Sequence, residues 1–356
     1  MNKHTRLIVS VLFIGIIVLA VAITRFYSRT GKSAVSSGSQ IIIEKKLGFD
    51  SSGNRAFQNN EGLVGIIDSS ERVIVSPEWQ SIKFTNGDKC IASKRIHGKE
   101  LFGCIDYEGN IIIPFVYSNI EVAASAERVL YIAQAADKKS SVVYNSDFVP
   151  CFSRAWDSCS YNNGDLTVTA GKGNYTYYVR NSDFIFKNAV LEDVCLDCPY
   201  SVNITASGLT LPMMEEISST IGKYIKYAYS ADSKEAEKNL AEINGATADK
   251  FTTLFGGEER VTSRKLLGLS DISVISSESE DGVPHYTASV TADTRITYRN
   301  EENNPKRLYG KYKAVIEFAG SNESDFRAVY ASFVDTKPDY PEAAPEIQQE
   351  TASQEN

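Results

Sequence analysis

The chain has 356 residues, 42% of them hydrophobic and 10% aromatic, which is ample for buried cores and long enough for two domains. Its net charge is −8, unevenly spread: residues 1–32 hold five Lys/Arg and no acid, and residues 337–356 hold five acids and Lys337. The intervening body is strongly acidic and repels phosphates, which excludes nucleic acid as a partner by electrostatics.

Residues 1–6 read as a short cytoplasmic tail. Leu7–Thr24, LIVSVLFIGIIVLAVAIT, is an uncharged apolar run. It would span about 27 Å as a helix and predicts a single transmembrane segment. Lys3 and Arg6 before the run nearly balance Arg25, Arg29 and Lys32 after it. The short N-terminal tail therefore sets the orientation, as a signal-anchor in the cell membrane with the body extracytoplasmic. Ala20-Val21-Ala22 also fits a cleavage pattern, so a cleaved signal peptide stands beside the anchor; the length of the run and Arg25 favour retention. Residues 25–40, rich in Ser, Gly and Thr, read as a flexible stalk.

Residues 41–207 alternate short β-branched or aromatic runs with Asn, Asp, Gly and Ser clusters, the pattern of many short strands. Self-comparison shows repeats. Gly65-Ile66-Ile67-Asp68 aligns with Gly103-Cys104-Ile105-Asp106 at an offset of 38, and the match continues to Trp79 and Tyr117. Asn145-Ser146-Asp147-Phe148 recurs as Asn181-Ser182-Asp183-Phe184, so units of 36–39 residues tile the region. In each unit a strand ends at Asp68 or Asp106, whose side chain opens a turn. Gly109 supplies the positive φ of that turn, and a return strand follows. These residues resemble the WG β-repeat of bacterial proteins, with Val64 and Phe102 in place of the namesake Trp. Gly65, Asp68, Gly103, Asp106 and Gly109 match its core, and Pro114 follows in register. The resemblance is strongest over residues 61–120 and implies a β-repeat domain, usually without assigned chemistry.

Six cysteines lie at 90, 104, 151, 159, 195 and 198. Cys90 and Cys104 flank Ile96-His97-Gly98 symmetrically, which makes them a candidate cross-strand disulfide pair. Cys195-Leu196-Asp197-Cys198 is a CxxC that with Cys151 and Cys159 offers four thiolates, but the spacing is not a zinc pattern. Burial as small hydrophobes is the plain alternative for all six.

From Leu211 the period becomes helical: Met214, Ile217, Ile221, Tyr224 and Ile225 form a stripe, and shorter helices fit Ser233–Asn244 and Thr247–Phe255. Four strand-like stretches follow. Helices and then an antiparallel meander predict an α+β domain over residues 208–336, similar in element order to the nuclear-transport-factor-2-like fold, a curved sheet around a long helix. Residues 337–356, acidic and proline-bearing, read as a disordered tail.

No nucleophile elbow, HExxH, P-loop or GxGxxG occurs. No catalytic, cofactor-binding or metal-binding residue is assigned, and no cofactor is expected. His285, with Asp281 or Asp293, is the one pocket candidate, and the plain alternative is an exposed histidine at a strand start. The acidic run 278–281 lacks the ligand spacing of a calcium loop. The sequence thus predicts a non-enzymatic, membrane-anchored envelope protein whose β-repeat domain binds a protein or a glycan; oligomeric state is left open. The alternative is a small-ligand or enzymatic pocket in the C-terminal domain.

Overall fold

The computed structural model describes residues 41–335 except 86, 126–127, 181–182, 255–260, 278–281 and 300–302. Contacts divide the chain into two units, the first ending at Gly164 (with Asn181–Asp183) and the second comprising Asp165–Arg180 and the residues from Phe184 onward. The sequence boundary at 207/208 falls inside the second unit.

The first unit is antiparallel β-sheet. A four-stranded sheet runs in sequence order through β1 (Ile43–Phe49), β2 (Arg55–Asn59), β3 (Val64–Ile67) and β4 (Val73–Trp79). A six-stranded sheet, also in sequence order, holds β5 (Ser81–Phe84), β6 (Lys89–Ile96), β7 (Lys99–Asp106), β8 (Ile111–Ser125), β9 (Arg128–Ala135) and β10 (Ser141–Tyr144). β11 (Ser158–Asn162) completes the unit. Both faces of the β6–β7 hairpin are buried. Cys90 and Ile105 face a core with Ile66, Val75, Trp79 and Phe115, while Ile91 and Cys104 face another with Ile113, Tyr117, Tyr131 and Phe148. This two-sided burial matches the short unbroken apolar runs within these strands, Cys90-Ile91-Ala92 in β6 and Leu101–Ile105 in β7.

In the second unit, strands hydrogen-bonded in sequence order are β12 (Asp165–Ala170), β13 (Gly173–Arg180), β14 (Asp183–Cys195), β15 (Cys198–Ile204), β16 (Val261–Ser277), β17 (His285–Arg299), β18 (Pro305–Ala319) and β19 (Arg327–Asp335). The β12–β13, β14–β15, β16–β17, β17–β18 and β18–β19 pairs are antiparallel, whereas β15 and β16 pair in parallel, at Asn203↔Ser273 and Ile204↔Val274. That parallel step needs a crossover, and two helices supply it: α1 (Leu211–Ala228) and α2 (Ser233–Leu240). Pro212 sits in the first turn of α1, where its missing N–H costs nothing. Met214, Ile217, Ile221, Tyr224 and Ile225 are all buried along one face. That face reaches widely across the sheet. Tyr200 Oη donates to Ser218 O at 2.8 Å on the β15 side, and the Tyr224 ring lies 5.9 Å from that of Phe333 on β19.

The expected fold class is therefore corrected. The protein is predominantly β, with two helices among the described residues, and there is no separate α+β nuclear-transport-factor-2-like domain. The helices bridge two strands of one sheet that starts before them, instead of founding a domain of their own. The helix expected at Thr247–Phe255 does not form over its described residues, 247–254: Phe251 makes a parallel bridge to Ala331, and Thr252 N donates to Ala331 O. The edge of β19 captured this segment's backbone.

The single-pass membrane protein with an extracytoplasmic body is corrected as well. No helix among the described residues is long and apolar enough to cross a membrane. The run Leu7–Thr24, the stalk 25–40 and the tail 337–356 lie outside the described residues.

Ile221 is fully buried between α1 and the sheet. Ile221→Ala should destabilise the second unit by about 2–5 kcal/mol, the usual cost of a core cavity. Denaturant unfolding followed by circular dichroism checks this, and an unchanged midpoint would mean that α1 does not cover the sheet.

Candidate functional site

One turn geometry recurs through the first unit. Asp68 Oδ1 accepts from the amides of Ser70 and Arg72, both at 2.9 Å. Asp106 Oδ1 accepts from Glu108 N at 2.9 Å and Asn110 N at 2.8 Å. Asn145 Oδ1 does the same with Asp147 N and Val149 N, at 3.0 and 2.9 Å. Two further copies escaped the sequence reading. Asp50 accepts from Ser52 N and Asn54 N, and Asn59 from Glu61 N and Leu63 N. In each, the acidic or amide residue closes a three-residue hairpin loop, and the residue three places on has positive φ: Gly53, Gly62, Glu71, Gly109 and Phe148. This is a type I turn with a left-handed bulge residue, capped by a side chain that competes successfully for two backbone donors. Phe148 holds a conformation unfavourable for a bulky residue, and its ring stacks on Tyr131 at 4.2 Å. The signal that would have found all five is Asx-x-x-(positive φ)-x, not the 38-residue offset alone. The equivalent turn at Asn181-Ser182 lies outside the described residues.

The 38-residue repeat is also exact in pairing. Val64↔Trp79, Ile66↔Val75 and Ile67↔Val73 are matched by Phe102↔Tyr117, Cys104↔Ile113 and Ile105↔Ile111. Gly65 and Gly103 sit at the same irregularity between these pairs. A Cβ on Gly65 would lie 2.6 Å from Val75 O and 2.8 Å from the Phe57 ring; on Gly103 it would lie 2.6 Å from Ile113 O. Glycine is required there by close approach, not by positive φ. Trp79 stacks on Phe115 at 5.0 Å, and the repeat-equivalent Tyr117 shares a 2.6 Å hydrogen bond with the Tyr144 hydroxyl.

The first and fourth turns are tied together. Tyr107, next to Asp106, donates through Oη to Asp50 Oδ2 at 2.6 Å. Burial opposes ionisation of Asp50, but the bonds from Tyr107, Asn54 and Ser52 outweigh it and hold the carboxyl below its ordinary value. Burial first, and then the Asp50 carboxylate, push the Tyr107 phenol up.

Cys90 and Cys104 are both buried and free. The expected disulfide is corrected by register. His97 and Gly98 both have positive φ and form a two-residue turn that pairs Ile96 with Lys99. Cys90 therefore faces Ile105, Cys104 faces Ile91, and the two thiols point to opposite sides of the sheet. Burial pushes the Cys90 thiol up to about 12 and also raises that of Cys104. Cys195 and Cys198 are free and paired directly across a second two-residue turn, at Leu196-Asp197. Cys195 Sγ donates to Gly222 O of α1 at 3.0 Å. Among the described residues no group of three or more His, Cys, Asp or Glu is arranged to hold a metal ion.

His285 begins β17, opposite Ala319 and Ser277. Asp293 lies eight residues further along the same strand, level with Lys311, so the two do not form an acid–base pair. Asp281 and the acidic run 278–281 lie outside the described residues. Where β15 and β16 diverge, the second unit has an open groove of about 800 Å³ whose lining includes Lys172, Glu192, Asp193, Tyr200 and Asp271. Lys172 and Asp193 are ion-paired at 2.9 Å, and His285 does not line the groove.

Residues 102–123 match the model of the WG containing repeat. That stretch runs from Phe102 through Gly103, the Asp106 turn and most of β8. No curated protein matches the chain. Among solved structures, Hsv2p of Kluyveromyces lactis is similar at 7% identity, covering 77% of this chain and 97% of its own, with a TM-score of 0.23. Hsv2 of Kluyveromyces marxianus is similar at 7% identity over 76% of this chain and 98% of its own, also with a TM-score of 0.23. Likeness at that level carries no inference about fold or function.

Gly103→Ala should lower stability by about 1–3 kcal/mol through overpacking against Ile113 O, whereas Gly48→Ala, with nothing within 4 Å, should be near neutral. Equal melting temperatures for the two variants would refute the close-approach reading. Tyr107→Phe removes a bond to a carboxylate and should cost about 1–3 kcal/mol at neutral pH. Asp50 is the lowered partner, so its contribution is present above the unfolded carboxyl value of 3.8 and fades as pH falls through the folded one. The stability gap between wild type and Tyr107→Phe should accordingly narrow on acidification; a gap independent of pH would contradict the assignment.

Proposed function

We propose that the repeat-bearing unit is a protein-interaction module that acts by binding and not by catalysis. The observation that carries this is a division of labour between repeat positions. The Asx, glycine and aromatic positions are spent on turns and core. The residues immediately after the turns stay apolar and open: Val73 is 38% exposed, its repeat equivalent Ile111 is 43% exposed, and Ile112 and Val116 on the same strand are 40% and 46% exposed. An apolar side chain held open at the same position of both repeats, Val73 and Ile111, and extended along β8 by Ile112 and Val116, suits a polypeptide partner.

A protein fits better than a glycan. Glycan recognition relies on several exposed aromatic faces; both tryptophans, Trp79 and Trp156, are buried in the core, and the open Phe49 ring is covered by Arg55 at 5.9 Å. The WG containing repeat at residues 102–123 supports the repeat reading and assigns no reaction.

The test replaces Ile111, Ile112 and Val116 together by Ser in the full chain. The variant should keep its melting temperature and bind the partner recovered by photo-crosslinking about tenfold or more weakly. An unchanged affinity would remove the β8 surface from the account.

A further inference from the structure

The outward face of the distal β16–β18 ribbon is basic in a chain of net charge −8. Cross-strand partners share a face of the sheet, as do alternate residues along a strand. By that rule Lys265, Arg295, Arg299, Arg307, Lys311 and Lys313 fall on one face, with Lys265↔Arg295↔Tyr309, Thr297↔Arg307, Asp293↔Lys311 and Thr291↔Lys313 in register. Two acids share these rows: Asp293, 3.8 Å from Lys311, and Asp335 of β19, opposite Lys313. Lys265 and Arg295 stand directly opposite each other, an arrangement that destabilises a sheet unless negative charge covers it.

A second feature lies alongside. β19 pairs with β18 only from Lys313 to Ala319. The flank of Pro305–Tyr312 that faces away from β17 has no strand partner among the described residues. The last pair, Asp335↔Lys313, lies at the start of this open flank. The sequence that follows carries Asp339, Glu342, Glu346, Glu350 and Glu355 against Lys337.

We propose that this acidic segment, residues 337–356, is the occupant of the basic ribbon and covers it within the same chain. Pro338, Pro341 and Pro345 have no N–H to give to a ladder, so the association is one of charge more than of strand pairing. Tethering places the acids at an effective concentration on the order of millimolar, which favours the chain's own segment over an anionic competitor.

The test is zero-length carbodiimide coupling of carboxylates to amines in the full chain, mapped by peptide mass spectrometry. A mixture of ¹⁵N-labelled and unlabelled protein is used. Amide links from Asp339, Glu342 or Glu346 to Lys265, Lys311 or Lys313 are expected. They should join peptides of one isotopic type and vanish in about 1 M salt, where the screening length falls to about 3 Å. Links mainly to lysines elsewhere, links that persist in high salt, or no links would overturn the proposal. Links joining labelled to unlabelled peptides would overturn it in favour of a second copy as the occupant. Replacing Lys265, Lys311 and Lys313 by Gln, all exposed positions, should abolish the links without changing the melting temperature.

Discussion

The first unit depends on one interaction, a side-chain oxygen accepting the backbone amides two and four residues ahead. Reversing an antiparallel strand in three residues leaves amides inside the loop with no ladder partner. Asp50, Asn59, Asp68, Asp106 and Asn145 each supply an oxygen at that place. The bound carboxylate or amide fixes where each strand starts, and the strand start fixes which side chains face the core. A slip of one residue at any of these turns would turn the core side chains of the strand that follows to its opposite face. The tie from Tyr107 to Asp50 links the turn network across 57 positions of sequence.

Much of this was legible in the chain, for physical reasons that differ by element. Asp68 and Asp106 stood out because a turn cap needs a short acceptor at a fixed place, and the same place recurs 38 residues on. Gly65 and Gly103 stood out with them, although the reason they must be glycine, a carbonyl 2.6 Å from any Cβ, is visible only in three dimensions. Asp50 and Asn59 went unseen because Asp50, Asn59 and Asp68 follow one another at intervals of nine residues, a spacing that comparison at one long period passes over. Cys90 and Cys104 show how fine the margin is. A turn centred on one residue places them face to face, and the two-residue turn at His97-Gly98 places them on opposite faces.

The C-terminal half misled for a different reason. The α1 stripe is genuine, and each of its five marker residues is buried. Helical periodicity reports that one face is covered, but not what covers it or where its sheet begins. The parallel contact of β15 with β16 spans two residue pairs, Asn203↔Ser273 and Ile204↔Val274, separated by seventy positions. Nothing local in either strand announces it, yet it joins strands before the helices to strands after them and turns an apparent domain start into a crossover. The same remoteness conceals the bridge from Phe251 to Ala331, which displaces the helix that local pattern favours at 247–255.

Native-state hydrogen exchange is the most direct test that the five side-chain caps organise the first unit. The amides to follow are Asn54, Leu63, Arg72, Asn110 and Val149, each donating to the side-chain oxygen four residues earlier. All five should be protected as strongly as their flanking strands, and Asp106→Ala should release Asn110 and the paired residues of β7 and β8 together. Exchange of these amides at the rate of an open loop, while the flanking strands stay protected, would show that the turns follow from the sheets and do not set them.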